Sequence, residues 1–172
     1  MVIGRERVKI MMNINVNKKE YKVEFSFGAA ECKEIVQKMF SVVNGSYLLA
    51  QTDKNVAQAS FDGLANMTAD VPEICILAIY AGCIDNNPVT MDEAKKLTRA
   101  YITEKRKTDK SYGYRTLFEE IKKAMEDDGF FELSGITKML EEMANNVEEA
   151  AKEQKKLTVV PQDHKKKQTS TK

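Results

Sequence analysis

The 172-residue sequence has no tryptophan, only three prolines, three cysteines and a single histidine. That histidine, His164, stands in a polar, basic stretch with no hydrophobic periodicity, so no scaffold would hold its imidazole in catalytic geometry. It reads as a solvated residue, and a Cys–His nucleophile pair would need it to fold back onto the body. Cys32, Cys75 and Cys83 are odd in number, match no disulfide framework and contain no C-x-x-C, so a reducing compartment and no zinc site are expected. There is no glycine-rich phosphate loop; "GSY" and "DGL" hold single glycines. No hydrophobic run approaches membrane-helix length, since "VPEICILAIYAGCI" is short and reads as a buried core helix. Arg5 and Arg7 precede no continuous apolar segment, so no secretory signal is expected. These shortages argue against an enzyme, a cofactor, a metal and a membrane partner.

The apolar share, 42%, is that of an ordinary domain, and the length suffices for one real core. Net charge is only +1 but unevenly placed. Residues 152–172 carry seven lysines against Glu153 and Asp163, so a basic segment follows a mildly acidic body. Lys165, Lys166 and Lys167 could meet phosphates, but the segment has no aromatic residue for base stacking and no arginine. Nucleic acid is therefore disfavoured as a partner. The paired acids (Glu119-Glu120, Glu141-Glu142, Glu148-Glu149) read as solvated helix faces.

Val8, Ile10, Met12, Ile14 and Val16 are apolar at every second position, which predicts a half-buried strand. Tyr21, Val23, Phe25 and Phe27 alternate likewise, predicting a second strand over 20–27. A turn at Lys18-Lys19 would set Val16 opposite Tyr21, Ile14 opposite Val23, Met12 opposite Phe25 and Ile10 opposite Phe27. A looser loop starting at Asn17 is the alternative. Such a hairpin must lay its apolar face on something else.

From there the period is helical. Residues 29–43 put Cys32, Ile35, Val36, Met39, Phe40 and Val43 on one stripe, with Gly45 as a stop. Helices are predicted over 55–67, over 72–83 with Pro72 in the first turn, from the capping box Thr90-x-x-Glu93 to 106, and over 114–127. The last helix is predicted over 130–156, with Ile136, Leu140, Met143, Val147 and Ala150 at alternating four- and three-residue steps. It either packs on the core or projects and pairs with another chain. The expected organisation is a body over 1–128, an association segment over 129–156 and a disordered basic tail over 157–172. The fold class is α+β, an N-terminal antiparallel hairpin packed on a mainly helical body. The expected core includes Phe25, Phe27, Ile35, Phe40, Leu77, Ile79 and Tyr80. A chain poor in catalytic groups and holding nine methionines suits an interaction protein, because methionine-rich faces adapt to several shapes.

The stretch "MNINVNKKEYKVEFSFGAAEC" resembles the opening of the tail assembly chaperones of long-tailed, siphovirus-like bacteriophages. The matching residues are Ile14, Asn15, Asn17, Lys19, Glu20, Tyr21, Phe25, Phe27 and Gly28. "ICILAIYAGCIDNNPVTMDEAKKL" is similar to the family's apolar helix, proline turn and capped helix, and "LFEEIKKAMEDDGF" to its acidic helix. The likeness covers about residues 12–128. Asn17 stands where a glycine is usual, and relatives often start near Met12, which makes Met12 a second candidate start.

The resemblance implies a non-enzymatic role in tail morphogenesis, in the host bacterial cytoplasm and outside the mature virion. The implied partners are the tape-measure protein, which such chains coat, and tail-tube subunits, recruited through a longer form made by ribosomal frameshifting. Lys165–Lys167 can be encoded by a run of adenines on which a ribosome would slip. Ile136, Leu140, Met143, Val147, Leu157, Val159 and Val160 are the candidate partner-binding residues, and weak homo-oligomerisation through 130–156 is a further expectation. The alternative is a small cytosolic regulator, antitoxin-like or nucleic-acid-associated, dimerising through its last helix.

Overall fold

The computed structural model describes residues 12–16, 18–46 and 56–157. It is an α+β fold, a two-stranded antiparallel hairpin with seven helices among the described residues. In chain order these are β1 (Met12–Val16), β2 (Lys19–Val23), α1 (Phe27–Glu31), α2 (Lys33–Val43), α3 (Val56–Gly82), α4 (Met91–Lys105), α5 (Tyr114–Asp128), α6 (Phe130–Leu133) and α7 (Ile136–Leu157). Two compact units are divided between Thr137 and Lys138.

The hairpin has the expected faces but another register. Met12 pairs with Val23, Ile14 with Tyr21 and Val16 with Lys19. The connection is therefore two residues long, and Lys18 within it lies at φ 64°. Starting the turn one residue early shifts every pairing by two, which keeps Met12 and Ile14 opposite apolar residues but sets Val16 opposite Lys19. Met12, Ile14 and Val23 are buried while Asn13 and Asn15 face solvent. Val8 and Ile10 lie outside the described residues.

β2 stops at Val23, not at Phe27, because its next donors go to helices. The Glu24 N–H donates to the Gly82 carbonyl at 2.8 Å. The Phe25 N–H donates to Asp128 Oδ2, also at 2.8 Å, and Lys22 N–H reaches Asn87 Oδ1 at 3.0 Å. Phe25 is buried and meets Phe130 edge-to-face at 6.3 Å. Phe27, expected in the core, opens α1 instead and is 68% exposed. The alternation ends where the backbone turns helical, so Phe27 no longer shares the face of Phe25.

The predicted helix over 29–43 is broken at Cys32, which is extended (φ −75°, ψ 98°). The short α1 is tied to the loop after α3, since Ser26 Oγ and the Gly28 N–H both donate to Asp85 Oδ2. The longer α2 packs along α3 instead, burying Ile35 and Met39, while Phe40 and Cys32 are only half-buried. The break separates the piece held to Asp85 from the piece packed along α3.

The two helices expected over 55–67 and 72–83 are one, α3, with Pro72 inside it. Proline in a helix interior removes a hydrogen bond and costs roughly 3 kcal/mol. Burial of Val71 just before it and of Ile74, Cys75, Leu77, Ala78 and Ile79 beyond it offsets that cost. This half is the centre of the fold, adjoining α1, α2, α4, α5 and β2. Tyr80, expected in the core, is half-buried. Continuity also lengthens the apolar run: Ser60–Gly82 is long and apolar enough to cross a membrane by length and composition, contrary to the expectation from two short helices.

α4 starts at the predicted capping box, Glu93 N–H donating to Thr90 Oγ1 at 3.2 Å and Thr90 N–H to Glu93 Oε2 at 2.8 Å. α5 buries Leu117, Phe118, Ile121 and Met125 and ends at Gly129, in the left-handed region at φ 77°. The single helix expected over 130–156 is interrupted: α6 buries Phe130, Ser134 and Gly135 form a turn, and α7 then begins at Ile136.

Candidate partner-binding surface

The seam predicted on the last helix divides between two environments. Ile136 is 3% exposed and belongs to the core of the first unit. Beyond Thr137 the helix carries a stripe with little covering it. Leu140 is half-buried, Met143 is 45% exposed and Val147 is 70% exposed. Met139, which a strict four-three reading leaves out, is 52% exposed on the same side. A wider apolar stripe, such as globular helices use, would have included it. The other described side chains over 138–149 are exposed, among them Glu141, Glu142, Glu148 and Glu149, and Lys138 stands 3.9 Å from Glu142. Leu157 ends α7; Val159, Val160 and His164 lie outside the described residues.

Two further features escaped the sequence reading. Phe61 and Leu64 are exposed on the first half of α3. A groove of about 1040 Å³ runs between α2, α3 and the start of α4, with Ser41, Pro72, Ile76, Leu77 and Met91 in its walls. Lys38 at its rim bonds Asp70 at 3.2 Å and Glu73 at 3.5 Å, tying α2 to α3.

One cluster of titratable groups packs between α4 and α5. Tyr112 Oη donates to Glu120 Oε2 at 2.7 Å and Tyr101 Oη to the same oxygen at 3.2 Å. Lys105 Nζ lies over the Tyr101 ring at 5.1 Å, and Arg106 donates to the Tyr112 carbonyl at 3.0 Å. Burial, then Glu120, pushes the Tyr112 phenol far up, and Tyr101 moves in the same direction for the same reasons. The cluster closes the connector between α4 and α5. Cys75 and Cys83 are buried, and burial pushes their thiols up to about 12 and about 11. A thiol held that far above neutrality is a poor nucleophile. Among the described residues no group of three or more His, Cys, Asp or Glu side chains could hold a metal ion.

Comparison with protein families, curated proteins and solved structures finds no match to this chain.

Proposed function

We propose that this chain is a non-enzymatic chaperone that holds an apolar helical client, and that it serves as a tail assembly chaperone of a long-tailed bacteriophage. On this reading it binds the tape-measure protein in the host cytoplasm, helps recruit tail-tube subunits and leaves before the virion is mature. The observation that carries the binding part is the exposed stripe of Met139, Leu140, Met143 and Val147 on α7. Two of its members are methionines, whose unbranched, polarizable side chains accommodate partners of varied shape. The acidic residues beside the stripe keep the free helix soluble without covering its apolar side. The tail-assembly part rests on the resemblance carried by the hairpin, the turn into α1 and the capped helix α4.

The test is co-expression with the tape-measure protein, followed by pull-down. The client should stay soluble and co-purify with this chain, and Met143→Asp with Val147→Asp should abolish capture. A client that stays soluble alone, or is captured equally by the double variant, would defeat the reading.

A further inference from the structure

We infer that β1 is a docking edge, and that its occupant is β1 of a second copy of this chain, the two strands running antiparallel in one continuous sheet. The two edges of the hairpin differ. On β2 the Lys22 N–H donates to Asn87 Oδ1 and the Glu24 N–H to the Gly82 carbonyl, so its outer edge is closed by the end of α3 and the loop beyond it. Opposed residues of an antiparallel pair alternate between bonding each other and pointing their backbone groups away. Lys22 points away from β1, so Asn13 opposite it, and Asn15 opposite Glu20, point away on the other side. Among the described residues the sheet has no third strand to meet them, and both side chains are exposed.

The composition of this edge is the reverse of a guarded one. Edge strands are ordinarily kept apart by lysine, proline or an inward charge. Here Lys19, Glu20 and Lys22 stand on the closed strand, and the open strand, Met-Asn-Ile-Asn-Val, has no charge, proline or glycine. That strand is also complementary to itself. With Ile14 opposite Ile14 of the second copy, Asn13 exchanges both backbone bonds with Asn15 of that copy, and twofold symmetry repeats the exchange. Met12 falls opposite Val16, so the apolar face on which Met12 and Ile14 are buried continues across the junction. An asparagine amide both donates and accepts, so facing asparagines satisfy each other where facing lysines or glutamates would repel. A slip of one residue would set Asn13 against Ile14, and a slip of two would keep only one of the exchanges. A parallel pair related by a twofold axis would turn the apolar faces to opposite sides. The strand is only five residues long, so pairing is weak and concentration-dependent. The inference needs no client and stands apart from the tail-assembly reading.

The test uses the full chain. Sedimentation of the native chain should show mass rising with loading toward twice the 19.5 kDa monomer. Over the same range, amide exchange of Asn13 and Asn15 should slow by about tenfold where about nine-tenths of the chain is paired, while Ile14, already paired with Tyr21, changes less. This measurement needs no variant, so it decides the matter even where a substitution unfolds the hairpin. Asn13→Lys with Asn15→Lys sets like charges opposite each other and should raise the dissociation constant by about tenfold or more. Asn13→Lys with Asn15→Glu sets opposite charges together only when the strands are antiparallel in this register. It should bring the constant back to within about threefold of the native one, with thermal melts of both variants matching the parent. A monomer at every loading, or Asn13 and Asn15 amides exchanging alike at every loading, would overturn the inference. So would a Lys/Lys variant that associates like the parent, or a Lys/Glu variant that associates no more tightly than Lys/Lys.

Discussion

Glu24 and Gly82 join the hairpin to the central helix: the Glu24 N–H donates to the Gly82 carbonyl at 2.8 Å, and Val23 lies where Gly82 lacks a side chain. A Cβ on Gly82 would overlap Val23 Cγ1 and stand 3.3 Å from the Phe25 ring. Gly82→Ala should therefore destabilise the fold by roughly 1–3 kcal/mol, the usual cost of overpacking. Adding Val23→Ala should recover part of that loss, because the two substitutions share one contact. Denaturant melts of the single and double variants test this; strictly additive losses would place the clash elsewhere.

Phe25 and Phe27 share a face in the sequence pattern and separate in the fold. Phe25 is buried against Phe130, and Phe27 faces solvent at the start of α1. Phe25→Ala should cost roughly 3–5 kcal/mol. Phe27→Ala should stay within about 0.5 kcal/mol of the parent, as exposed positions do. Equal losses in thermal melts would return Phe27 to the core.

Much of this architecture is legible in local pattern. Alternation at Met12, Ile14 and Val23 locates a hairpin, the Thr90–Glu93 box starts α4, and Gly129 ends α5. What is hidden depends on distant contacts. Nothing near Phe25 announces that Asp128 will take its N–H and end the strand. Pro72 reads locally as a helix start, yet burial of the residues after it keeps α3 continuous. On the candidate surface the four-three spacing locates Leu140, Met143 and Val147 but does not reveal that Ile136 is claimed by the body. Spacing reports which residues share a face; it does not report what that face meets.

The Tyr112 phenol is protonated in the fold well above the ordinary tyrosine value of about 10, through burial and then its bond to Glu120. A pKa raised by folding means the bond's stabilising effect is complete below that ordinary value. It is lost as pH rises through the folded value. Tyr112→Phe should therefore lower the melting temperature at pH 8. The gap from the parent should narrow as pH climbs beyond about 10. Absorbance titration should show a late-ionising phenol in the parent that the variant lacks. A constant gap across the alkaline range would mean that Glu120 contributes no such linkage.

Ile136 and Val147 stand on one predicted seam but in opposite surroundings, 3% and 70% exposed. Ile136→Ala removes packing from the core and should cost roughly 2–5 kcal/mol. Val147→Asp puts a charge on an exposed position outside the core, so the body should melt within about 0.5 kcal/mol of the parent. Client capture should respond in the reverse order. Val147→Asp forces any occupant of the stripe to bury a carboxylate with no partner, so capture should fail. Ile136→Ala, assayed at a temperature where its body is still folded, should retain it. Melts paired with pull-downs separate the two effects. Loss of capture in both variants would mean that the surface extends into the body, and loss in neither would move it away from α7 altogether.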